Sequence, residues 1–218
     1  MTFSQIVANL EFPVDSVARL DRVVKHGWTP EAALREYKDE LVGDLEPLVN
    51  LYGENRPKTI LDIGCGLAGI TAALTVWFDV PLVHLVDGDP RDLGERTAGF
   101  KPAGKPWNAV QDGAEVVKRN APETEVLTHY AGEWIDDTGV DLVVSFKSWC
   151  FHYPAEAYLR QVQHVLRPGG LLVVDIRKNT DGAAQILAAG FRCRCCLDEV
   201  PGKRSRFAFE RMEVGSGL

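Results

Sequence analysis

At 218 residues the chain suits one domain with a small extension, and its 45% apolar and 25% charged residues are the balance of a folded globular protein. The net charge of −7 argues against a generally basic nucleic-acid surface, leaving Lys203, Arg204 and Arg206 as a candidate local patch, and favours a small-molecule partner. No apolar run approaches the roughly 18 residues of a membrane-spanning helix, and "MTFSQIVANLEFP" lacks the basic start and apolar middle of a signal peptide, so no membrane partner and a cytoplasmic location are expected.

The residues before about Arg56 read as helices. In "DSVARLDRVVKHG", Val17, Leu20, Val23 and Val24 form a helical apolar stripe that stops at Gly27. In "TPEAALREYKDELVGDLEPLVNLYG", Thr29 suits the N-cap, Pro30 the first helical position and Glu31 the first turn. Residues 1–57 are therefore expected to form an N-terminal helical cap that helps enclose a substrate. From Lys58 onward short β-rich runs alternate with helical ones. Strands are predicted at "KTILDI", "LVHLVD", "EVLTHY", "VDLVVSF" and "GLLVVDI", and helices after the first glycines and around 109–120, 154–166 and 181–189. Nearly continuous apolar strands interleaved with helices imply a doubly wound α/β domain whose parallel sheet is covered on both faces. The segment 91–108, "RDLGERTAGFKPAGKPWN", is rich in Gly, Pro and Lys and reads as a loop or lid near the site. "GFRCRCCLDEV" and "SRFAFERMEV" have no helix between them and read as an antiparallel hairpin at one edge. They close a core expected over 58–214, ahead of a flexible tail at 215–218.

The chemistry concentrates where the first strand ends. In "TILDIGCGLAGIT", Gly64, Gly66 and Gly69 fit G-x-G-x-x-G, where missing side chains permit a tight turn, close ligand approach and close helix packing. Open parallel sheets bind ligands beyond the carboxyl ends of their strands, and this turn lies there. Asp87 ends the second strand, 18 positions after Gly69, a spacing at which a carboxylate reaches the ribose hydroxyls of a nucleoside. Alternatively, Asp87, Gly88, Asp89 and Pro90 are only a turn that satisfies the backbone after a strand. A nicotinamide dinucleotide fits these features almost as well and would make the chain an oxidoreductase. Asp62 discriminates between the two, because a carboxylate in this turn repels a pyrophosphate but meets a cationic sulfonium or ammonium favourably.

"LDIGCG" resembles motif I of the class I S-adenosylmethionine-dependent methyltransferases. The resemblance continues in order through "LVDGDP", "VDLVVSF", "VLRPGGLLVVDI" and the closing "AGFRCRC" and "RSRFAFER". It implies a seven-stranded Rossmann-like methyltransferase sheet with an antiparallel last strand, and S-adenosylmethionine as cofactor. Carried onto this chain, the family pattern puts Gly64, Cys65 and Gly66 along the cofactor, Asp87 at the ribose, and Gly132, Glu133 or Trp134 at the adenine. Gly88, Ser145 and Phe146 join the expected cofactor-binding set. The usual Asp-Ala type signature after strand three is replaced by "HYAGEW", so Glu133 reads equally as a solvated loop acid.

"SFKSWCFHYP" leaves the fourth strand with aromatic residues beside Lys147 and His152. Methyl transfer is an in-line displacement that depends on holding the acceptor aligned in a partly dry cavity, and Trp149 and Tyr153 suit such a wall. Phe146 and Phe151 also suit ordinary packing beneath the next helix. His152 is the candidate general base, because a hydroxyl acceptor is a poor nucleophile until its proton is accepted; the plainer reading is a hydrogen-bonded structural histidine. Lys147, with Arg177 and Lys178 of "DIRKN", could orient a carboxylate or phosphate, or simply face solvent. "SWCFHYP" and "DIRK" resemble sugar O-methyltransferases, so the expected acceptor is a hydroxyl of a small sugar-like or anionic metabolite. The alternatives are a small-molecule N-methyltransferase, a nucleic-acid methyltransferase and a noncatalytic cofactor-binding protein. "SFKSWC" departs from the Asn/Asp-Pro-Pro-aromatic signature of base amino methylases, which disfavours that kind of nucleic-acid methylation. No metal is expected, since Cys193, Cys195 and Cys196 in "RCRCC" have no second ligand pair at zinc-site spacing.

Overall fold

The computed structural model describes residues 1–18, 20–53, 55–94, 100 and 105–213. The expected tail at 215–218 and the middle of the 91–108 segment lie outside them. Apolar β-rich runs form β1 (Thr59–Ile63), β2 (Leu82–Asp87), β3 (Glu125–Tyr130), β4 (Val140–Ser145), β6 (Leu166–Arg177), β7 (Phe191–Val200) and β8 (Arg204–Arg211). They build one seven-stranded sheet in the order β3-β2-β1-β4-β6-β8-β7. β1 pairs in parallel with both β2 and β4, so the chain order reverses between β1 and β4, where open sheets of this kind hold ligands. β8 runs antiparallel to β6 and to β7, which places the predicted hairpin at the edge with its second strand inserted inward.

Alternation along the strands divides the core into two layers. Ile60, Leu142 and Val144 face α4 (Pro30–Tyr52) and α5 (Gly69–Phe78), while Leu61, Ile63 and Val143 face α7 (Leu159–Val165) and α8 (Gly182–Ala188). α6 (Val110–Asn120) completes the first layer, with Val110, Val116 and Val117 fully buried. Thr29 caps α4 as expected, its hydroxyl accepting the Ala32 amide at 3.3 Å.

The N-terminal segment departs from its sequence reading at two points. A further helix, α1 (Phe3–Asn9), is closed by a capping box between Thr2 and Gln5. The stripe through Val17 to Val24 is divided into α2 (Val14–Ala18) and α3 (Asp21–His26). Phe3, Val7, Leu41, Leu45 and Leu48 share the core layer of the sheet, and Phe3 meets Trp77 of α5 edge-on at 5.5 Å. These helices thus build the α4/α5 face of the sheet.

One buried charge cluster joins the ends of the chain. Asp175 on β6 and Arg206 on β8 are both fully buried, with Nε to Oδ1 at 2.8 Å and Nη2 to Oδ2 at 3.0 Å. Arg206 also reaches α4, donating from Nη1 to Asp44 Oδ1 at 2.8 Å and to the Asp44 carbonyl at 3.0 Å. Its guanidinium lies 3.5 Å from the Phe146 ring centroid. Arg204 adds contacts to Asp175 at 3.2 Å and Asp198 at 2.7 Å. Arg204 and Arg206 are therefore not a surface patch for nucleic acid. Their complementary acids and their burial commit them to the interior.

Removing one partner of a buried pair leaves an uncompensated charge, so Arg206→Ala is expected to lower unfolding free energy by about 3–5 kcal/mol. Arg192→Ala, which breaks an exposed pair with Glu210, should cost under about 1 kcal/mol. Urea denaturation of both variants checks the contrast.

Candidate active site

The loops beyond the carboxyl ends of β1, β2, β3 and β4 surround a cavity of about 440 Å³. Gly64, Asp87 and Gly132 line it where the first three strands end. Lys147, Ser148, His152 and Tyr153 line it after β4, and Tyr158 sits just ahead of α7. Asp92, Lys105, Pro106, Trp107 and Asn108 bring the described parts of the 91–108 segment onto the same cavity. There the Gly94 amide donates to the Pro106 carbonyl at 2.8 Å, and Lys105 pairs with Asp92.

Asp87 organises the glycine turn. Its Oδ2 accepts the Gly66 amide at 2.7 Å and its Oδ1 accepts the Gly88 amide at 2.9 Å. Each carboxylate oxygen has further acceptor capacity, and Asp87 itself lines the cavity. Burial, with Asp87 and Tyr153 nearby, pushes the Tyr158 hydroxyl up to about 12, and burial and Asp87 raise Tyr153 as well. Both phenols are therefore hydrogen-bonding hydroxyls at neutral pH rather than bases. His152 is the histidine on the cavity wall among the described residues, its ring edge-on to Trp107 at 4.9 Å and to Phe151 at 4.8 Å.

No family model matches the sequence. The malonyl-[acyl-carrier protein] O-methyltransferase of Hahella chejuensis is 28% identical over 128 residues, which cover 59% of this chain and 39% of that protein's length. Among solved structures, the PH0226 protein of Pyrococcus horikoshii OT3 superposes with a TM-score of 0.61 at 14% identity, covering 92% of this chain and all of the other. A TehB-like S-adenosylmethionine-dependent methyltransferase from Corynebacterium glutamicum gives 0.55 at 18% identity, covering 84% of this chain and 97% of that one. A protein of Listeria monocytogenes described as a class I S-adenosylmethionine-dependent methyltransferase gives 0.55 at 16%, covering 82% and 61%. The fold is that of the class I S-adenosylmethionine-dependent methyltransferases.

The cavity fits an adenosine-type cofactor in its donor set: a carboxylate at the end of β2 beside the positive-φ glycines Gly64 and Gly132. It gathers only part of the set expected from sequence. Gly64, Asp87, Gly132, Lys147, His152 and Tyr153 line it. Gly66 and Gly88 stand behind Asp87 as its amide donors. The Cys65 sulfur instead lies close to Gly113 of α6. Glu133 folds back to accept the Tyr130 amide at 2.7 Å, and Trp134 stacks near His164 at 5.1 Å.

The other expected residues are taken up by packing. The Ser145 hydroxyl donates to the Ile63 carbonyl at 2.7 Å and accepts the Trp149 amide at 3.0 Å. Phe146 lies under Arg206. Trp149 is fully buried and donates to the Ala155 carbonyl at 2.9 Å, because "SWCFHY" forms a short strand, β5 (Ser148–Tyr153), that turns this ring inward. Arg177 is directed to β5, donating to the Phe151 carbonyl at 2.6 Å and lying 4.4 Å from the Phe151 ring centroid, and Lys178 pairs with Glu199. Neither of these two cations lines the cavity. Ser148, Trp107 and Tyr158 do, although none of them was among the expected site residues: Tyr158 read as part of a helix over 154–166 and Trp107 only as part of the 91–108 loop or lid.

Asp62 is also absent from the cavity lining. It shares the pleat direction of Ile60, facing α5, and accepts the Thr71 hydroxyl at 2.6 Å. Burial lifts its carboxyl to about 7, the Thr71 hydrogen bond opposing and the Asp87 charge adding to the shift.

The folded protein holds the Asp62 proton to higher pH than an unfolded chain with its ordinary carboxylate near 3.9, so this group's contribution to stability declines as pH rises toward 7. Asp62→Asn keeps an acceptor for Thr71 without the charge. Relative to the parent it should gain of order 2 kcal/mol between pH 5 and pH 8, read from urea midpoints at each pH. Asp87→Ala should instead lose about 1–3 kcal/mol of stability as the Gly66 amide loses its acceptor, and binding of S-adenosylmethionine should weaken at least tenfold by calorimetry.

Proposed function

We propose that the chain is an S-adenosylmethionine-dependent methyltransferase acting on an oxygen of a small acceptor. The observation that carries this reading is that Asp87, suited to a ribose, and His152, suited to accept a proton, open on one cavity. Asp87, Gly64 and Gly132 would hold the cofactor, which supplies an electrophilic methyl group on a sulfonium when bound. His152 accepts the acceptor's hydroxyl proton on a ring nitrogen, with Trp107 and Phe151 restricting the ring's orientation. Trp107, Pro106 and the two tyrosines exclude water and align the acceptor.

A second reading takes an anionic acceptor, for which Lys147 lies on the cavity wall, its ammonium also 3.6 Å from Glu40 and Asp44. The curated relative is an O-methyltransferase of malonyl-acyl-carrier protein. A carboxylate acceptor is already ionised and needs no base.

The two readings separate on one variant. With methyl-labelled S-adenosylmethionine, His152→Ala should lower transfer to a neutral sugar hydroxyl by roughly 10²- to 10⁴-fold, but transfer to a malonyl thioester only slightly. Absence of S-adenosylmethionine binding in calorimetry, with NAD binding instead, would sink both readings.

A further inference from the structure

Of the two cations at the end of β6, Lys178 pairs with Glu199, whereas Arg177 directs its side chain to β5, the short strand that carries His152. β5 lies outside the seven strands of the sheet, and its backbone is strained. Lys147, just before it, and Cys150 within it adopt left-handed conformations with φ of 54° and 62°, which are costly for residues other than glycine and persist only where neighbouring structure holds them. Ahead of Cys150, the Lys147 amide donates to buried Asp175 at 3.0 Å, and Trp149 is anchored through the Ser145 hydroxyl and the Ala155 carbonyl. Beyond Cys150 the holding group is Arg177, whose Nε donates to the Phe151 carbonyl at 2.6 Å.

That bond falls on the peptide joining Phe151 to His152. A peptide unit is planar, so fixing the Phe151 carbonyl also fixes the direction in which the backbone enters His152. The same guanidinium covers the Phe151 ring at 4.4 Å from its centroid, and this ring meets the His152 imidazole edge-on at 4.8 Å, with 80° between the planes. Trp107 supplies a further ring contact to the imidazole at 4.9 Å. Arg177 therefore grips both the peptide that leads into His152 and one of the two rings that bound its imidazole.

Arg177 is itself firmly based. It pairs with Arg204 in the β6/β8 ladder, its carbonyl accepts the Thr180 hydroxyl at 2.9 Å, and the next amide, that of Lys178, donates to the Lys203 carbonyl at 2.9 Å. Resting on the reading of His152 as the base, we propose that Arg177 is its positioning residue: from outside the cavity it sets the His152 imidazole in the orientation that receives the acceptor's proton. A base works only within hydrogen-bond reach of that proton, so a ring displaced by about 1 Å loses much of its effect.

The test combines nuclear magnetic resonance of the histidine rings with methyl-transfer kinetics in wild type, Arg177→Ala, Arg177→Lys and His152→Ala. The His152 ring signals, identified by their loss in His152→Ala, should move in Arg177→Ala while those of His26, His84, His129 and His164 stay in place. With methyl-labelled S-adenosylmethionine and a neutral sugar hydroxyl, Arg177→Ala should lower kcat at least tenfold, with KM and the cofactor Kd within about twofold, and should add less than about twofold to the loss in His152→Ala. Arg177→Lys keeps a cation and a donor, and should restore both the ring signals and most of kcat. A thermal melt of Arg177→Ala within a few degrees of the parent shows that the fold is retained; if it unfolds, Arg177→Lys decides by the same signals and rates. Unmoved His152 signals in folded Arg177→Ala, a loss that adds in full to that of His152→Ala, or a folded Arg177→Lys that behaves unlike wild type would overturn the positioning role. Wild-type protein that binds no S-adenosylmethionine, or that transfers no methyl to the sugar hydroxyl, would instead overturn the reading of His152 as a base on which the proposal rests.

Discussion

The Asp175–Arg206 pair is the constraint on which the rest of the architecture turns. Taking two such charges out of water costs several kcal/mol each, and the loss is offset only by dense pairing. Here Asp175 receives both arms of Arg206, one arm of Arg204 and the amide of Lys147, while Arg206 also binds Asp44 across 162 positions of sequence. The cluster thereby locks an N-terminal helix, the inserted antiparallel strand and the turn after β4 into one arrangement. Lys147 takes its left-handed conformation from the same carboxylate. Its ammonium lies 3.6 Å from both Glu40 and Asp44, which ties α4 to a residue of the cavity wall.

Two acids at neighbouring strand ends show how pleat direction assigns chemistry. Asp62, one residue before the end of β1, and Asp87, the last residue of β2, both sit beside the glycine turn. Asp62 points into the layer beneath α5, where it is sealed by Thr71 and lies near the Tyr37 hydroxyl of α4. Asp87 opens on the cavity and holds the turn by its amides. Tyr37 also gives the third glycine of the pattern its reason. A Cβ at Gly69 would lie 2.5 Å from the Tyr37 hydroxyl oxygen, so this glycine admits the N-terminal helix against α5. The first glycine, Gly64, admits Ser148. The glycine turn is therefore shaped from two sides by segments far from it in sequence.

The sheet was legible because its determinants are local. Continuous apolar runs, helix starts at Thr29 and after the glycines, and the missing helix between "RCRCC" and "RFAF" each leave a short-range pattern. The residues after β4 were not legible in the same way. "SFKSWCFHYP" was expected to present Trp149 and Tyr153 to a substrate, but two left-handed residues bend it into a short strand that buries Trp149 and faces only Ser148, His152 and Tyr153 of its side chains after Lys147 to the cavity. A left-handed Lys or Cys has no sequence signature, because it is imposed by distant partners such as Asp175.

By itself, the sequence determined the parallel sheet with its antiparallel final strand, the glycine turn at Gly64 to Gly69 and the acidic residue Asp87 at the end of β2. Each of these depends on periodicity or on spacing within a few tens of residues. Only the tertiary structure decided that Asp62 is sealed in the core, that Arg204 and Arg206 are interior ions, that Arg177 and Lys178 turn away from the cavity, and that Ser148 faces it. Those outcomes depend on which side of a pleat a residue occupies and on which charge lies opposite it after folding. Neither is written in the order of residues along the chain.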